Sequence, residues 1–399
     1  MTRRTVLGGA ALAPAATSAT LPRKADFPVT GENVCLNNAR WHPMSRGTRK
    51  AMEEFLDYRA TGGIEGMEHG PRLQSVARQR FAELVHAEAG EIALVQSTTM
   101  GENLVVRGLG LPERGGNVVT DALHFQGSLF MYRELEKQGL EVRVVKPRGD
   151  WRIHLEDMER QIDRNTRLVA VSQISMITGF EHDLKRVSEM AQARGALVYA
   201  DIIQAAGAMP IDVKAAGVDF AACSSFKWLM GDFGMGFLYA KKEHLGGRIG
   251  RALHGYRQAH TTYHLLPHEG QGESFIEFEA GRDAAGYFEV SSMATVVAAG
   301  VGHSLGYLLG VGVENIARHR EPLMKKLRRE MPGLGFACLT PEEARGPILA
   351  IAKKDAGAKH GARLKAAKVD VSVYPHRIRV SPSVYNDEGD VERLLEALS

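Results

Sequence analysis

The strongest constraint on the fold is an alternation running from Ile92 to Ala240, in which short apolar runs are separated by amphipathic stretches and turns. The spacing predicts strands at Ile92 to Val95, Asn117 to Thr120, Val142 to Val145, Leu168 to Val171 and Ala196 to Ala200. Helices are predicted at Gly127 to Gln138, Leu155 to Ile162 and Leu184 to Arg194. A strand that is apolar at nearly every position is buried on both faces, so the pattern implies an α/β fold with a mostly parallel sheet covered by helices. Two further runs, Phe220 to Ser224 and Gly236 to Ala240, read as a hairpin-like pair. Upstream, Ser45 to Tyr58 has helical spacing, and the breakers from Gly62 to Pro71 predict a surface loop before a helix resumes at Leu73.

Beyond Met293 the pattern changes to a small-residue helix, a charged helix and strands near Phe336 to Leu339, Ile348 to Ala352 and Ile378 to Val380. This reads as a smaller C-terminal α/β domain. The expected division is residues 1–19 as an export signal, 20–44 as an N-terminal segment packing with the small domain, 45–290 as the large domain and 291–399 as the small one. The signal is read from Arg3 and Arg4, followed by a short, weakly apolar Gly/Ala-rich run, with Thr17-Ser18-Ala19 or Ala13-Pro14-Ala15 as cleavage site. It resembles a twin-arginine leader and implies a periplasmic or secreted protein exported folded, without a membrane span thereafter. The net charge is +3, two units of which come from Arg3 and Arg4, so the surplus that phosphate-backbone binding needs is missing and no nucleic-acid partner is expected. Cys35, Cys223 and Cys338 lack the paired spacing of a metal site or disulfide framework, and no metal is expected.

Chemistry concentrates where strands end. Asp201 follows the apolar run Ala196 to Ala200, with Gln204 three residues on, at the carboxyl edge where α/β sheets bind ligands. An acid there can pair with the pyridine nitrogen of pyridoxal 5′-phosphate (PLP), and Gln204 can donate to the ring oxygen; taken alone, Asp201 reads rather as a helix cap. About twenty-five residues later stands Ser224-Ser225-Phe226-Lys227-Trp228, then a glycine-rich turn from Gly231 to Gly236. An apolar run before Lys227 and Trp228-Leu229 after it argue against a solvated face, and desolvation lowers an amine's pKa, which suits Schiff-base formation and proton transfer. A third hydroxyl-rich turn, Ser97-Thr98-Thr99, sits between strand and helix, where amides and hydroxyls bind anions.

This combination resembles the class V aminotransferases of fold type I PLP enzymes, a group that also holds cysteine desulfurases, isopenicillin-N-epimerase-like proteins and C–S lyases. The resemblance implies a large PLP-binding domain and a homodimer with sites at the interface. Lys227 would hold the cofactor as a Schiff base, and Asp201 and Gln204 would face its ring. Ser97, Thr98, Thr99 and Ser224 would seat the phosphate, with Ser292 reaching the partner's cofactor. His124, after the strand ending at Thr120, would stack on the ring. In Arg377-Ile378-Arg379-Val380-Ser381, it implies that Arg379 clamps the substrate carboxylate, with Asn38 also at the substrate. Three departures stand out: Phe226 where histidine is common, Met176 where asparagine is common, and Ser291-Ser292 in place of Gly-Thr. Cys338 falls in an apolar strand, which argues against a desulfurase.

The expected activity is PLP chemistry on an amine or amino acid, aminotransferase-type first, with C–S/β-lyase or epimerase as the alternative. Exported members resemble the periplasmic enzyme that tailors pyoverdine siderophores, which suggests a group on a peptide natural product as substrate. A non-catalytic PLP binder would have no need of Arg379 beside Lys227. A dinucleotide-binding protein would need its Gly-rich turn after the first strand.

Overall fold

The computed structural model describes residues 20–62, 66–270, 272 and 274–399; the export signal expected at 1–19 lies outside the described residues. The first strand, β1 (Val34–Cys35), is followed by α1 (Arg46–Ala60), α2 (Gly66–Leu84), β2 (Ile92–Val95), α3 (Thr98–Gly108), β3 (Asn117–Asp121) and α4 (Gln126–Glu136). Next come β4 (Glu141–Val145), α5 (Leu155–Glu159), β5 (Thr166–Ser172), α6 (Leu184–Gln192), β6 (Leu197–Asp201), β7 (Phe220–Ser224) and β8 (Gly236–Ala240). The hairpin β9 (Ala259–Tyr263) and β10 (Ile276–Ala280) precedes α7 (Ala284–Phe288), α8 (Thr295–Val311) and α9 (Val313–Glu330). The chain ends in β11 (Ala337–Cys338), β12 (Leu349–Ala352), α10 (Ala356–Ala366), β13 (Val369–Asp370), β14 (Ser372–Val373), β15 (Arg377–Val380) and α11 (Glu388–Leu398).

Seven strands form the main sheet in the order β2-β8-β7-β6-β5-β3-β4. Only β8 runs against its neighbours, pairing antiparallel with β7 and β2, so the predicted hairpin-like pair and the mostly parallel sheet are both present. Side chains of these continuously buried strands alternate between two cores with the two-residue period of a strand. Ile92, Leu94, Val169, Val171, Val198 and Ala200 face a core shared with α2, α6 and α8. Their neighbours Ala93, Val95, Leu168, Ala170, Leu197 and Tyr199 face a second core under α3 and α4. Strand β4 departs from this pattern: it is the sheet's edge and stays partly exposed, with Glu141 and Arg143 blunting the free ladder.

A second, four-stranded antiparallel sheet, β11-β12-β15-β14, has its own core with Leu323, Leu327, Leu364 and Leu394 from α9, α10 and α11. Helix α8 begins just after residue 291 in sequence yet packs on α1 and α2 of the large sheet, and the small core takes up the chain only within α9. The N-terminal segment reaches the C-terminal part of the chain: β1 pairs parallel with β13 in a separate two-stranded sheet, and Asn37 bridges to Ser381 beyond β15. That pairing draws residues 36–42 across the carboxyl end of the main sheet, toward the Lys227 turn, where His42 N–H donates to the Phe226 carbonyl at 3.2 Å.

Candidate active site

Parallel pairing of β5 with β6 sets Ser172 beside Asp201, at the carboxyl ends of both strands. Asp201 is 3% exposed. No helix follows it; its Oδ1 accepts from Ile203 N–H at 2.9 Å in a local turn, so the helix-cap alternative does not apply. Burial pushes this carboxyl above its ordinary range, opposed by the positive charges of His124 and Lys227. The next strand ends in the turn that carries Lys227. Burial pulls the Lys227 amine down to about 8, Asp201 pulls it back up, and Arg379 adds to the lowering. One buried acid thus faces one buried, partly discharged amine.

The start of α3 closes the other end. Ser97 caps the helix, its Oγ accepting from Met100 N–H at 3.1 Å. Thr98 and Ser224 lock reciprocally: Thr98 N–H donates to Ser224 Oγ at 2.8 Å and Ser224 N–H donates to Thr98 Oγ1 at 2.9 Å. Thr99 is half-buried on the first turn. The structure therefore brings Ser97, Thr98, Thr99 and Ser224 together at one positive helix end.

His124 is completely buried and bonded at both ring nitrogens, Nδ1 to Ser172 Oγ at 2.8 Å and Nε2 to Glu102 Oε1 at 3.1 Å. Burial would lower its proton affinity, but the neighbouring Glu102 carboxylate, with smaller help from Asp201 and Asp121, holds it above the ordinary imidazole range. Sequence reasoning passed over Glu102 and Ser172. The available signal was an acid in the apolar helix segment Gly101 to Val106, four residues after Thr98 and three before Val105, both buried.

Arg379 comes from β15 of the small sheet, with its guanidinium buried and no carboxylate bonded to it among the described residues. Its Nη1 donates to the Met176 carbonyl at 3.1 Å and its Nη2 to Ser372 Oγ at 3.1 Å, while Nε is buried without a partner. Met176, noted in sequence as a departure, thus serves through its backbone. Phe226 stacks on Phe233 with ring centres 4.3 Å apart and lies 5.7 Å from the Lys227 amine.

The remaining expected residues make the following contacts within the chain. Gln204 accepts from the Trp228 indole at 3.0 Å and donates to the Ala39 carbonyl at 3.0 Å, clasping the lysine turn to the N-terminal segment. Asn38 donates to the Ser381 carbonyl and accepts from the Tyr385 hydroxyl, clasping the same segment to the small sheet. Ser292 is exposed and hydrogen-bonded to Tyr256 at 2.9 Å. Among the described residues no group of His, Cys, Asp and Glu could hold a metal ion.

A family model, aminotransferase class-V, matches residues 49–394. The chain belongs to the class-V aminotransferase family. This class-V chain is 28% identical over 318 residues to a probable cysteine desulfurase of Methanothermobacter thermautotrophicus, a match covering 78% of this chain and 76% of that protein. A probable cysteine desulfurase of Pyrococcus abyssi is 32% identical over 228 residues, covering 55% of this chain and 56% of the relative. Among solved structures, an apo cysteine desulfurase from Thermococcus onnurineus has the same fold at 22% identity and a TM-score of 0.82, over 95% of this chain and 98% of that one. The cystine C–S lyase C-DES, solved with its product cysteine persulfide, matches at 21% identity and a TM-score of 0.83, over 93% and 98%.

Membership makes the class-V chain an enzyme of fold type I with PLP as cofactor. Its residues fit that group. A buried carboxylate stands at the sheet edge, an amine of lowered proton affinity faces it, and a helix end with clustered hydroxyls offers a phosphate seat.

Proposed function

We propose that the chain is a PLP-dependent C–S or β-lyase acting on an amino acid that carries a leaving group on its β-carbon. The observation that carries the reading is the Lys227 amine, buried and lowered to about 8, between Asp201 and the uncompensated guanidinium of Arg379. Arg379 binds the substrate α-carboxylate and fixes the amino acid relative to Lys227. Lys227, neutral in a fair share of molecules near pH 8, takes the α-proton. When bound, the cofactor supplies an electron sink for the pair left at Cα, stabilised by Asp201 holding the ring nitrogen protonated.

The desulfurase and C–S lyase relatives support cleavage at sulfur over transfer of the amino group. Elimination fits better than attack by a protein thiol. Burial pushes the Cys223 thiol well up, Cys35 is buried against Asp370, and Cys338 lies in an edge strand of the small sheet. Transamination is the second reading, favoured by the match to the aminotransferase class-V model, and suits an amino-acid group on a peptide natural product of the pyoverdine type. Export through Arg3 and Arg4, and a homodimer in which Ser292 reaches the partner's cofactor, belong to the same proposal.

Purified protein loaded with PLP and given cystine, S-substituted cysteines or glutamate with a keto-acid acceptor separates the readings. The lyase gives pyruvate, ammonia and a sulfur product without acceptor; strict dependence on acceptor, with a new amino acid formed, would overturn it in favour of transamination. Borohydride reduction followed by peptide mass analysis places the cofactor on Lys227 or refutes the site. Fusion of residues 1–30 to a folded reporter tests export, with Arg3→Lys and Arg4→Lys together expected to abolish it.

A further inference from the structure

Glu102 is 1% exposed, and a carboxylate that deep is tolerated only when its lone pairs are filled. Here Oε1 accepts from the Tyr132 hydroxyl at 2.8 Å and from His124 Nε2 at 3.1 Å, while Oε2 accepts from Ser128 Oγ at 2.5 Å. The line continues on the far side of the imidazole, from His124 Nδ1 to Ser172 Oγ at 2.8 Å and from Ser172 Oγ to Asp201 Oδ2 at 3.4 Å.

The donors along this line suit one charge state in particular. An ionised Glu102 only accepts, so His124 Nε2 carries a proton. With Asp201 ionised as well, it too only accepts, and the single Ser172 hydroxyl proton goes to it. The serine oxygen then takes a proton from His124 Nδ1. In that arrangement both ring nitrogens donate and His124 is an imidazolium, in line with the raised proton affinity that Glu102 gives it. We propose that Glu102 is a positioning residue which, through the line Glu102, His124, Ser172 and Asp201, sets the charge and orientation of the two groups that face the cofactor ring. The inference rests on the PLP reading for its consequence but not for its geometry.

The other groups around the imidazole are accounted for. From β3, Asp121 faces His124 and is itself bonded to His182 at 3.1 Å. From β6, Asp201 faces both His124 and the Lys227 amine, and from α4, Tyr132 and Ser128 hold Glu102. Glu102→Gln keeps the shape and removes the charge. His124 then stays neutral, Nδ1 turns acceptor and takes the Ser172 proton, and Asp201 loses a donor together with the nearest positive charge.

The experiment is a pH series of imidazole nitrogen spectra on 15N-histidine protein, with and without added PLP, the His124 signals assigned by their loss in His124→Asn. The expected result is a doubly protonated His124 at pH 7, with the midpoint of its deprotonation falling by about 1–3 pH units in Glu102→Gln. In the PLP-loaded protein the pH midpoint of the cofactor absorbance moves in Glu102→Gln but not in Ser128→Ala, which loosens Glu102 while keeping its charge. A neutral, single-tautomer His124 in the parent at pH 7, or an unmoved midpoint in Glu102→Gln, overturns the proposal. If Glu102→Gln does not fold, the parent spectrum decides alone, with Glu102→Asp expected to retain the imidazolium. Failure of the chain to bind PLP sinks the cofactor reading, whereas the nitrogen spectra of the cofactor-free protein still decide whether Glu102 charges His124.

Discussion

Replacing Lys227 by alanine removes the buried amine that faces Asp201, and general-base removal of a proton is worth about 10²–10⁴-fold, so turnover in Lys227→Ala falls by at least that much. The sign of its pH dependence follows from burial. The amine is charged below about 8 and neutral above, so capture of PLP by the cofactor-free chain speeds up as pH rises through about 8 and then levels, read as absorbance growth after mixing. A capture rate that keeps climbing past about pH 9 without levelling, as an ordinary lysine amine would give, would contradict the buried setting. For Arg379→Lys, loss of charge-assisted bonds worth about 1.5–3 kcal/mol raises KM for a carboxylate substrate by about 10–100-fold. Asp201 and Lys227 were legible as buried because the apolar runs beside them fix their place, whereas Arg379 was singled out by the resemblance of its Arg-Ile-Arg-Val-Ser run to the class V motif. Gln204 and Asn38 were not legible in the same way. Their partners Ala39, Trp228, Ser381 and Tyr385 arrive from remote parts of the chain, and no local pattern reveals that an amide will be used as a clasp.

At the scale of elements, α3 is the part where folding and cofactor binding meet. Ser97 satisfies an N–H of its first turn, so Ser97→Ala lowers stability by about 1 kcal/mol, measurable as a shift of the urea midpoint at unchanged slope. The same change removes a hydroxyl from the phosphate seat, so weaker PLP binding accompanies it. The main-sheet strands were readable because continuous apolar runs have one interpretation when helices alternate with them. Helix α2 was not: Gly70 and Pro71 read as breakers, yet the helix begins at Gly66 and carries Pro71 near its start, held by packing against α8. Tertiary burial outweighs local propensity there. The hairpin β9–β10 was missed although Ile276 to Ala280 alternates apolar and charged residues, because β9 carries no such alternation and neither strand has a buried face.

That hairpin matters most for the molecule as a whole. Phe275 and Phe278 are 75% and 71% exposed, and Tyr263, Leu265 and Leu266 are more than half exposed beside them. Isolated exposed apolar residues are ordinary, but a run of large ones on a single projection is the signature of a covered surface. A second copy of the chain is the occupant proposed above, and Ser292, exposed on the same chain with Tyr256, would then act across the interface. The parent protein is therefore expected to scatter light as a dimer at micromolar concentration, and Phe275→Glu with Phe278→Glu to shift it toward monomer, because burying two carboxylates at an apolar contact costs several kcal/mol. The variant's own fold is checked by circular dichroism, since neither side chain contributes to a core. A monomeric parent, or a variant that remains dimeric, would remove the hairpin from the interface. If the variant is monomeric and also binds PLP more weakly while the Lys227 cluster is untouched, the missing contribution comes from the partner, and Ser292→Ala in the dimer should reproduce that loss without changing the mass.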